Sequence, residues 1–139
     1  MREEIEAVQN YLNIEKIRYE EKLEIHFDIQ EAVLDVQLPS FLIHPLVENA
    51  VKYGMRSSTL PLQLQINAKA DNRDLVLVVA NSGTWAPKEQ NPFAKETFTG
   101  IGLKNIRQRL DAYFPNHNQF ETIEVDQTVE ARLRIGDVL

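Results

Sequence analysis

Two periodicities of hydrophobic residues divide the chain into helices and strands. Hydrophobic residues recur every three or four positions over residues 3–20 and again over residues 101–114, which predicts an amphipathic helix in each segment. From Leu23 to Ile29 they alternate with polar residues, as the two faces of a half-buried strand require. The same alternation over residues 62–68 and 129–135 predicts two further strands.

Three other segments supply the remaining predicted elements. Residues 41–55 are hydrophobic on one side and predict a second, buried helix, for which Gly54 is the expected stop. The run of β-forming residues 75–80 predicts a strand that pairs with the preceding one through a turn at Asn72. Residues 120–125 predict one more strand.

The predicted order of elements favours an α+β fold, a two-layer sandwich of helices on a sheet. The order is helix, strand, helix, strand, strand, a long loop over residues 81–100, helix, strand and strand. Consecutive strands joined by short turns favour a mixed, mostly antiparallel sheet, and helices that do not alternate strictly with strands argue against a doubly wound fold. Long loops in compact domains are usually functional or mobile.

Composition excludes several classes of function. A chain of 139 residues with 43% hydrophobic residues is long enough for one domain with its own core. The net charge of -6 argues against nucleic acid as a partner, because a phosphate-binding surface needs the opposite sign. The absence of cysteine excludes disulfides, thiolate metal sites and cysteine nucleophiles. The longest apolar run, residues 75–80, is too short to span a bilayer.

A polar group interrupts the otherwise apolar second helix, in the stretch Pro45 to Gly54. Asn49, Lys52 and Tyr53 are three and four positions apart, so a helix places them on one face. Taken alone, this pattern also fits a structural role, in which Asn49 bonds a nearby backbone group and Lys52 is solvated.

A pair of glycines leads directly into the third helix. Gly100 and Gly102 allow backbone N–H groups to approach an anion closely, and the helix start adds partial positive charge, so this segment is a candidate phosphate cradle. It has neither the spacing of a Walker A loop nor the preceding strand of a Rossmann fingerprint. Residues 101–110 also hold three basic residues and no acid, although a solvated helix face explains that as well.

Three stretches in this order resemble the GHKL family of ATP-binding domains. Glu48-Asn49-Ala50 with Lys52 and Tyr53 matches the N box, Asn81-Ser82-Gly83 matches the G1 box, and Gly100-Ile101-Gly102-Leu103 matches the G2 box. The wording around the first and last boxes is similar to that of LytS-type bacterial sensor kinases, and residues 11–19 are similar to the tail of their phosphoacceptor region.

The resemblance implies a two-layer sandwich of the Bergerat type, with helices on one face of the sheet. Residues 1–22 would be the C-terminal helix of the dimerisation and phosphoacceptor region. Residues 23–139 would form the ATP-binding catalytic domain, with a mobile ATP lid over about residues 84–99.

The resemblance also implies roles for individual residues, with ATP and Mg²⁺ as cofactors. Asn49 would coordinate Mg²⁺ and, with Lys52 on phosphate, form the catalytic pair. Tyr53 would pack near the adenine, Asn81 would read its amino group, and Gly100 and Gly102 would cradle phosphates. The remaining residues implied at the nucleotide site are Glu48, Gly83, Leu103 and Thr128.

Two departures from the family pattern change the expected chemistry. Asn81 stands where the G1 box usually has aspartate, and Trp85 stands in place of its second glycine. A neutral amide forms a weaker hydrogen bond than a carboxylate, so we expect adenine binding to be about tenfold weaker. Hydrolytic relatives have glutamate where this chain has Pro45, so phosphoryl transfer to a protein is favoured over free hydrolysis.

The expected function is transfer of the γ-phosphate of ATP to a histidine. None of His26, His44 and His117 resembles the phosphoacceptor motif, so the acceptor is expected upstream, in a catalytic fragment that lacks it. The resemblance implies a homodimeric parent at the inner membrane, with this domain in the cytoplasm, and a response regulator of the LytTR type as partner. Two alternatives remain: a degenerate, non-catalytic GHKL module for dimerisation or docking, and an anti-sigma-factor-like serine kinase.

Overall fold

Three α-helices and five β-strands form the described part of the chain. The computed structural model describes residues 1–84 and 101–139, and for residues 101 and 102 the backbone alone. In chain order the elements are α1 (Arg2–Tyr19), β1 (Leu23–Ile29), α2 (His44–Ser57), β2 (Leu62–Asp71), β3 (Asp74–Ser82), α3 (Ile101–Tyr113), β4 (Asn118–Val125) and β5 (Thr128–Ile135). Short 3₁₀ turns cover Glu20–Lys22 and Glu31–Val33.

The strands form one open, mixed sheet in the order β1-β2-β3-β5-β4. β1 and β2 are parallel, with Leu23 opposite Leu62, and α2 lies in the crossover between them. The other three pairings are antiparallel, including the β2–β3 hairpin that turns at Asn72, whose φ is 56°. The predicted α+β fold with a mostly antiparallel sheet is therefore confirmed.

The hydrophobic core lies between the helices and one face of the sheet. Alternate residues of β2 and β3 are fully buried, and the buried faces of all three helices belong to the same cluster. Each fully buried leucine or isoleucine contributes about 1.5–3 kcal/mol relative to an exposed one. The main contributors from the helices are Ile5, Val8, Leu12, Leu46, Val47, Ile106 and Leu110, and from the sheet Leu64, Ile66, Leu77 and Leu133.

The second helix differs from its prediction at both ends. It begins at His44, because Phe41 has a φ of 58° and lies in a turn, with its side chain 65% exposed. It also continues through Gly54 to Ser57, so Gly54 is not a helix stop. Gly54 is buried, and a Cβ there would lie 2.5 Å from Cδ1 of Leu62. Glycine at this position therefore allows α2 to pack closely on β2.

The third strand is longer than the hydrophobic run that predicted it. β3 continues to Ser82, so Asn81 lies in the sheet opposite Leu64 and Val129, and not in the predicted loop over residues 81–100. Of the predicted lid over residues 84–99, only Thr84 is among the described residues, and Trp85 and Gly100 lie outside them.

The first helix packs into the same core as the sheet, through Ile5, Val8 and Leu12. A domain boundary near residue 22 stays a prediction. Neither α1 nor any other described helix combines the length and the apolar composition that a membrane crossing requires.

Candidate functional site

A cleft of about 480 Å³, part of it open to solvent, separates α2 from the β3–β5–β4 side of the sheet. Ligand pockets have mostly apolar walls with a few polar groups. The walls of this cleft have that character, because its aliphatic side chains outnumber the polar ones. The described lining residues are Leu46, Asn49, Ala50, Tyr53, Val79, Asn81, Thr84, Leu103, Thr122, Val129 and Ala131.

The helical period of α2 brings its part of the site together. Leu46, Asn49, Ala50 and Tyr53 are separated by three or four positions and so lie on one face of the helix. The structure confirms that Asn49 and Tyr53 share a face. Lys52, between them in sequence, is exposed and is not among the described lining residues.

The amide of Asn81 lies at the floor of the cleft. The residue is 4% exposed, which for a polar side chain requires hydrogen-bond partners. Its Nδ2 donates to the backbone carbonyl of Ser82 over 2.9 Å. Because the nitrogen is engaged in this way, Oδ1 is the atom of the amide that is suited to accept a hydrogen bond from a ligand.

The G1 glycine joins the end of β3 to the end of α2. Gly83 has a φ of 119°, a region that L side chains rarely adopt, and a Cβ there would collide with Oγ of Ser57. Its N–H donates to the carbonyl of Gln127 over 2.6 Å. Ser57 Oγ donates to the carbonyl of Tyr53 and accepts from the N–H of Thr84, at 2.9 and 3.2 Å. These contacts fix the positions of Tyr53 and Thr84, which both line the cleft, relative to each other.

The third helix reaches the cleft at its N-terminal end. Leu103 lines the cleft, and Gly102 is its immediate neighbour in the first turn of α3. The first turn of α3 and the N-box helix α2 therefore both contribute lining residues to one cavity. Gly100 lies outside the described residues.

Glu48 lies on a different face of α2, against α1. Its Oε1 is 3.3 Å from Nε2 of His44, and the His44 ring is 4.9 Å from the ring of Tyr11 on α1. Burial raises the pKa of Tyr11 to about 12, with smaller contributions from the charges of Glu15 and Glu48. Glu48 is thus close to α1 and is not among the described residues that line the cleft.

Thr128 is adjacent to the site without lining it. It opens β5 opposite Ser82, and its neighbour Val129 is the residue that faces the cleft. Sequence reasoning missed the aliphatic wall of Leu46, Ala50, Val79, Val129 and Ala131, together with Thr122. The strand alternation could have identified the β3 and β5 members, because Val79 and Asn81 are two positions apart, as are Val129 and Ala131.

The polar groups of the cleft fit a magnesium ion that is bound mainly by its ligand. No cluster of three or more histidine or acidic side chains suited to a metal occurs among residues 1–84 and 101–139. Mg²⁺ usually keeps several waters and takes one or two protein oxygens besides substrate phosphates. The side-chain oxygen of Asn49 meets that requirement, and Asn49 is the only lining residue implied as a metal ligand.

Comparisons with known proteins point to one family. The chain matches no family model. It is 32% identical over 115 residues to the sensor histidine kinase YesM of Bacillus subtilis, a match that covers 82% of this chain and 19% of YesM. It is 29% identical over 120 residues to the sensor protein LytS of Staphylococcus saprophyticus, covering 82% of this chain and 20% of LytS. The chain matches the GHKL catalytic domain of LytS-type sensor histidine kinases.

A solved structure supports the same fold for this LytS-type domain. The catalytic domain of the histidine kinase ThkA, solved in a nucleotide-free form, superimposes with a TM-score of 0.68 at 19% identity. The match covers 95% of this chain and 92% of that domain. The chain spans about a fifth of the length of the two curated relatives.

Proposed function

We propose that this LytS-type domain binds Mg-ATP in the cleft and transfers the γ-phosphate to a histidine of its parent kinase. The observation that carries the proposal is the meeting of Asn49, Tyr53, Asn81 and Leu103 around one mostly aliphatic cavity. Three separate sequence boxes supply these residues, and a structural role for each box alone would not require a shared cavity.

The lining residues would divide between the adenine and the phosphates of ATP. The aliphatic side chains of Val79, Val129 and Ala131 would pack against the adenine, and Oδ1 of Asn81 would accept from its amino group. Asn49 would hold Mg²⁺ against the phosphates, and the first turn of α3 would direct its N–H groups at them. Lys52 is exposed on α2 and is not among the described lining residues of the cleft. Its side chain would contact phosphate from that position.

Phosphoryl transfer needs little covalent help from the protein. Mg²⁺ held by Asn49 would supply neutralisation of charge on the phosphates, and the side chains of the site would position the γ-phosphate for attack by the acceptor. Pro45 stands where hydrolytic relatives have glutamate, so activation of water is disfavoured and an incoming imidazole is the nucleophile we propose. We further propose that the parent is a homodimeric sensor in the inner membrane that acts on a LytTR-type response regulator.

Titration calorimetry with the ATP analogue AMPPNP tests the binding step. We expect the 139-residue chain to bind the analogue in Mg²⁺ and more weakly in EDTA. Asn49→Ala should lower the affinity in Mg²⁺ by about tenfold or more, because it removes the protein oxygen from the metal. Asn67→Ala, which changes the same residue type on β2, is the matched control and should bind like the wild type.

Two outcomes would contradict the proposal. Absence of binding by the wild type at millimolar analogue would favour the non-catalytic docking module. Equal affinity of the Asn49→Ala variant and the wild type in Mg²⁺ would remove the metal assignment. Transfer itself is tested with radiolabelled ATP and the parent kinase, where an acid-labile phosphohistidine is expected and an acid-stable phosphoserine would favour the serine-kinase alternative.

A further inference from the structure

The carboxylate of Glu4 on α1 accepts three backbone hydrogen bonds from the turn before α2. Oε1 accepts from the N–H of Phe41 at 2.6 Å, and Oε2 accepts from the N–H groups of Leu42 and Ile43 at 3.2 and 3.0 Å. The partners are 37 to 39 residues away in sequence. The side chain of Glu4 therefore binds three consecutive residues of the turn that leads into α2.

This contact replaces a cap that α2 lacks in its own sequence. Its N-cap residue, Ile43, provides no side-chain hydrogen bond, Pro45 has no N–H, and the first turn contains no acidic residue. N–H groups at a helix start need an acceptor, and a carboxylate there also interacts favourably with the helix dipole. Glu4, from another helix, accepts from the N–H of the N-cap residue Ile43 and places a negative charge near the helix start.

The third helix holds the same turn from its opposite side. Arg109 on α3 donates to the carbonyl of Phe41 at 3.0 Å and to the carbonyl of Ser40. Phe41 itself has a φ of 58°, a left-handed conformation that is uncommon for a bulky residue and needs support from its surroundings. The turn over residues 40–43 is thus clamped between α1 and α3.

The turn leads into α2 and is bound by Arg109 of α3, and both of these helices contribute to the nucleotide cleft. α2 carries Asn49 and Tyr53, and α3 carries Leu103. We propose that Glu4 is a positioning residue for the nucleotide site, because it sets the start of α2 and thereby the position of Asn49 relative to α3. Displacement of α1 then changes nucleotide affinity. This inference rests on the proposed function and adds a route by which α1 controls it.

The test compares Glu4→Gln with the wild type in the same AMPPNP titration. The glutamine side chain presents an NH₂ group in place of one carboxylate oxygen. At least one backbone N–H group of the turn therefore loses its hydrogen-bond acceptor. We expect the affinity in Mg²⁺ to fall about three- to tenfold, the effect of one lost hydrogen bond. Glu3→Gln removes the same charge from an exposed neighbouring position on α1 and should bind like the wild type.

A second pair of measurements separates positioning from mere stability. Affinities are compared at a temperature at which circular dichroism shows every variant to be folded. Arg109→Gln should also weaken binding, and the double variant should lose less than the product of the two single effects, since both act through one turn. If Glu4→Gln does not fold, Glu4→Asp, which keeps the charge but shortens the reach, must show the reduced affinity.

The failure of this inference is distinct from that of the proposed function. Unchanged affinity in a folded Glu4→Gln variant, beside a wild type that binds, would overturn the role of Glu4 alone. A wild type that does not bind would overturn the proposed function, and the positioning role with it.

Discussion

The amide of Asn81 combines a donor and an acceptor, which an aspartate carboxylate cannot do. Its Nδ2 lies 2.9 Å from the carbonyl oxygen of Ser82, while its Oδ1 is suited to a ligand. From the sequence, asparagine in place of aspartate is predicted to weaken adenine binding. The structure shows in addition that this asparagine forms a hydrogen bond within the protein, from its side chain to the carbonyl at the end of its own strand.

Asn81→Asp is expected to destabilise the fold. The substitution places a carboxylate oxygen against the Ser82 carbonyl in a nearly buried position, so a hydrogen bond becomes a repulsion. The free energy of unfolding should fall by about 1–3 kcal/mol at pH 7, measured by urea denaturation. Asn10→Asp, the same change at an exposed position on α1, should lower the free energy of unfolding by less than about 0.5 kcal/mol. Equal stability of Asn81→Asp and the wild type would show that the Ser82 contact contributes little.

Among the elements, α2 packs closely against β2 at Gly54, a position that has no side chain. Gly54 lies in the helix interior, where alanine would ordinarily gain about 1 kcal/mol. An added Cβ would lie 2.5 Å from Cδ1 of Leu62 and 3.3 Å from Nδ2 of Asn81. Leu62 is fully buried, so it has little room to move away.

Gly54→Ala is expected to lower both stability and nucleotide affinity. Overpacking of this kind costs about 1–3 kcal/mol, which exceeds the gain in helix propensity. Since the methyl group also presses on the amide of Asn81, affinity for AMPPNP should fall at a temperature at which the variant is folded. Gly136→Ala, where the nearest atom would be 3.4 Å away, is the control for both measurements. A Gly54→Ala variant that gains stability would mean that α2 and β2 separate easily.

The second helix, α2, shows which structural features could be predicted from its sequence and which could not. Helical spacing correctly predicted that Asn49 and Tyr53 share a face of α2, because that depends only on the local period of the helix, whereas Lys52, predicted on the same face, is not among the described lining residues. The two ends of α2 were predicted wrongly for non-local reasons. The turn before its start is bound by Glu4 of α1, and Gly54 is required by contact with β2 and not by a turn.

At the scale of the whole molecule, one carboxylate connects the central hairpin to the end of the chain. Asp74, at the start of β3, accepts from the backbone N–H of Asp137 at 3.1 Å and from Nε of Arg134 at 2.7 Å. These two hydrogen bonds, the backbone one first, hold the pKa of Asp74 below its ordinary value of 3.8.

This depressed pKa predicts a loss of stability in acid. The contribution of Asp74 is fully present above pH 3.8 and is lost as the pH falls through its lower, folded-state pKa. The urea midpoint should therefore decrease below about pH 4. Asp74→Asn should show a smaller decrease over that range, whereas Asp28→Asn, at an exposed position on β1, should follow the wild type. Parallel acid profiles for wild type and Asp74→Asn would contradict the linkage.

The architecture was predictable because two-residue and helical periods identify the elements, and the short hairpin turns identify antiparallel neighbours. The strand order was not, since the parallel pairing of β1 with β2 joins Leu23 to Leu62 across α2, and no local pattern encodes that distance. The aliphatic wall of the cleft was missed for a related reason: Val129 and Ala131 become lining residues only when β5 is inserted between β3 and β4.

Among the strands that the structure describes, β1 and β4 are the outer ones, and each pairs with a neighbour on one side only. An unpaired strand edge is a site where another chain can add a strand. Exposed carboxylates occupy both outer strands: Glu24 and Asp28 on β1, Glu121 and Glu124 on β4. Two molecules meeting edge to edge would bring like charges together, which opposes sheet-to-sheet polymerisation. The charges of these four acidic residues therefore disfavour association of two copies of the chain through their outer strands.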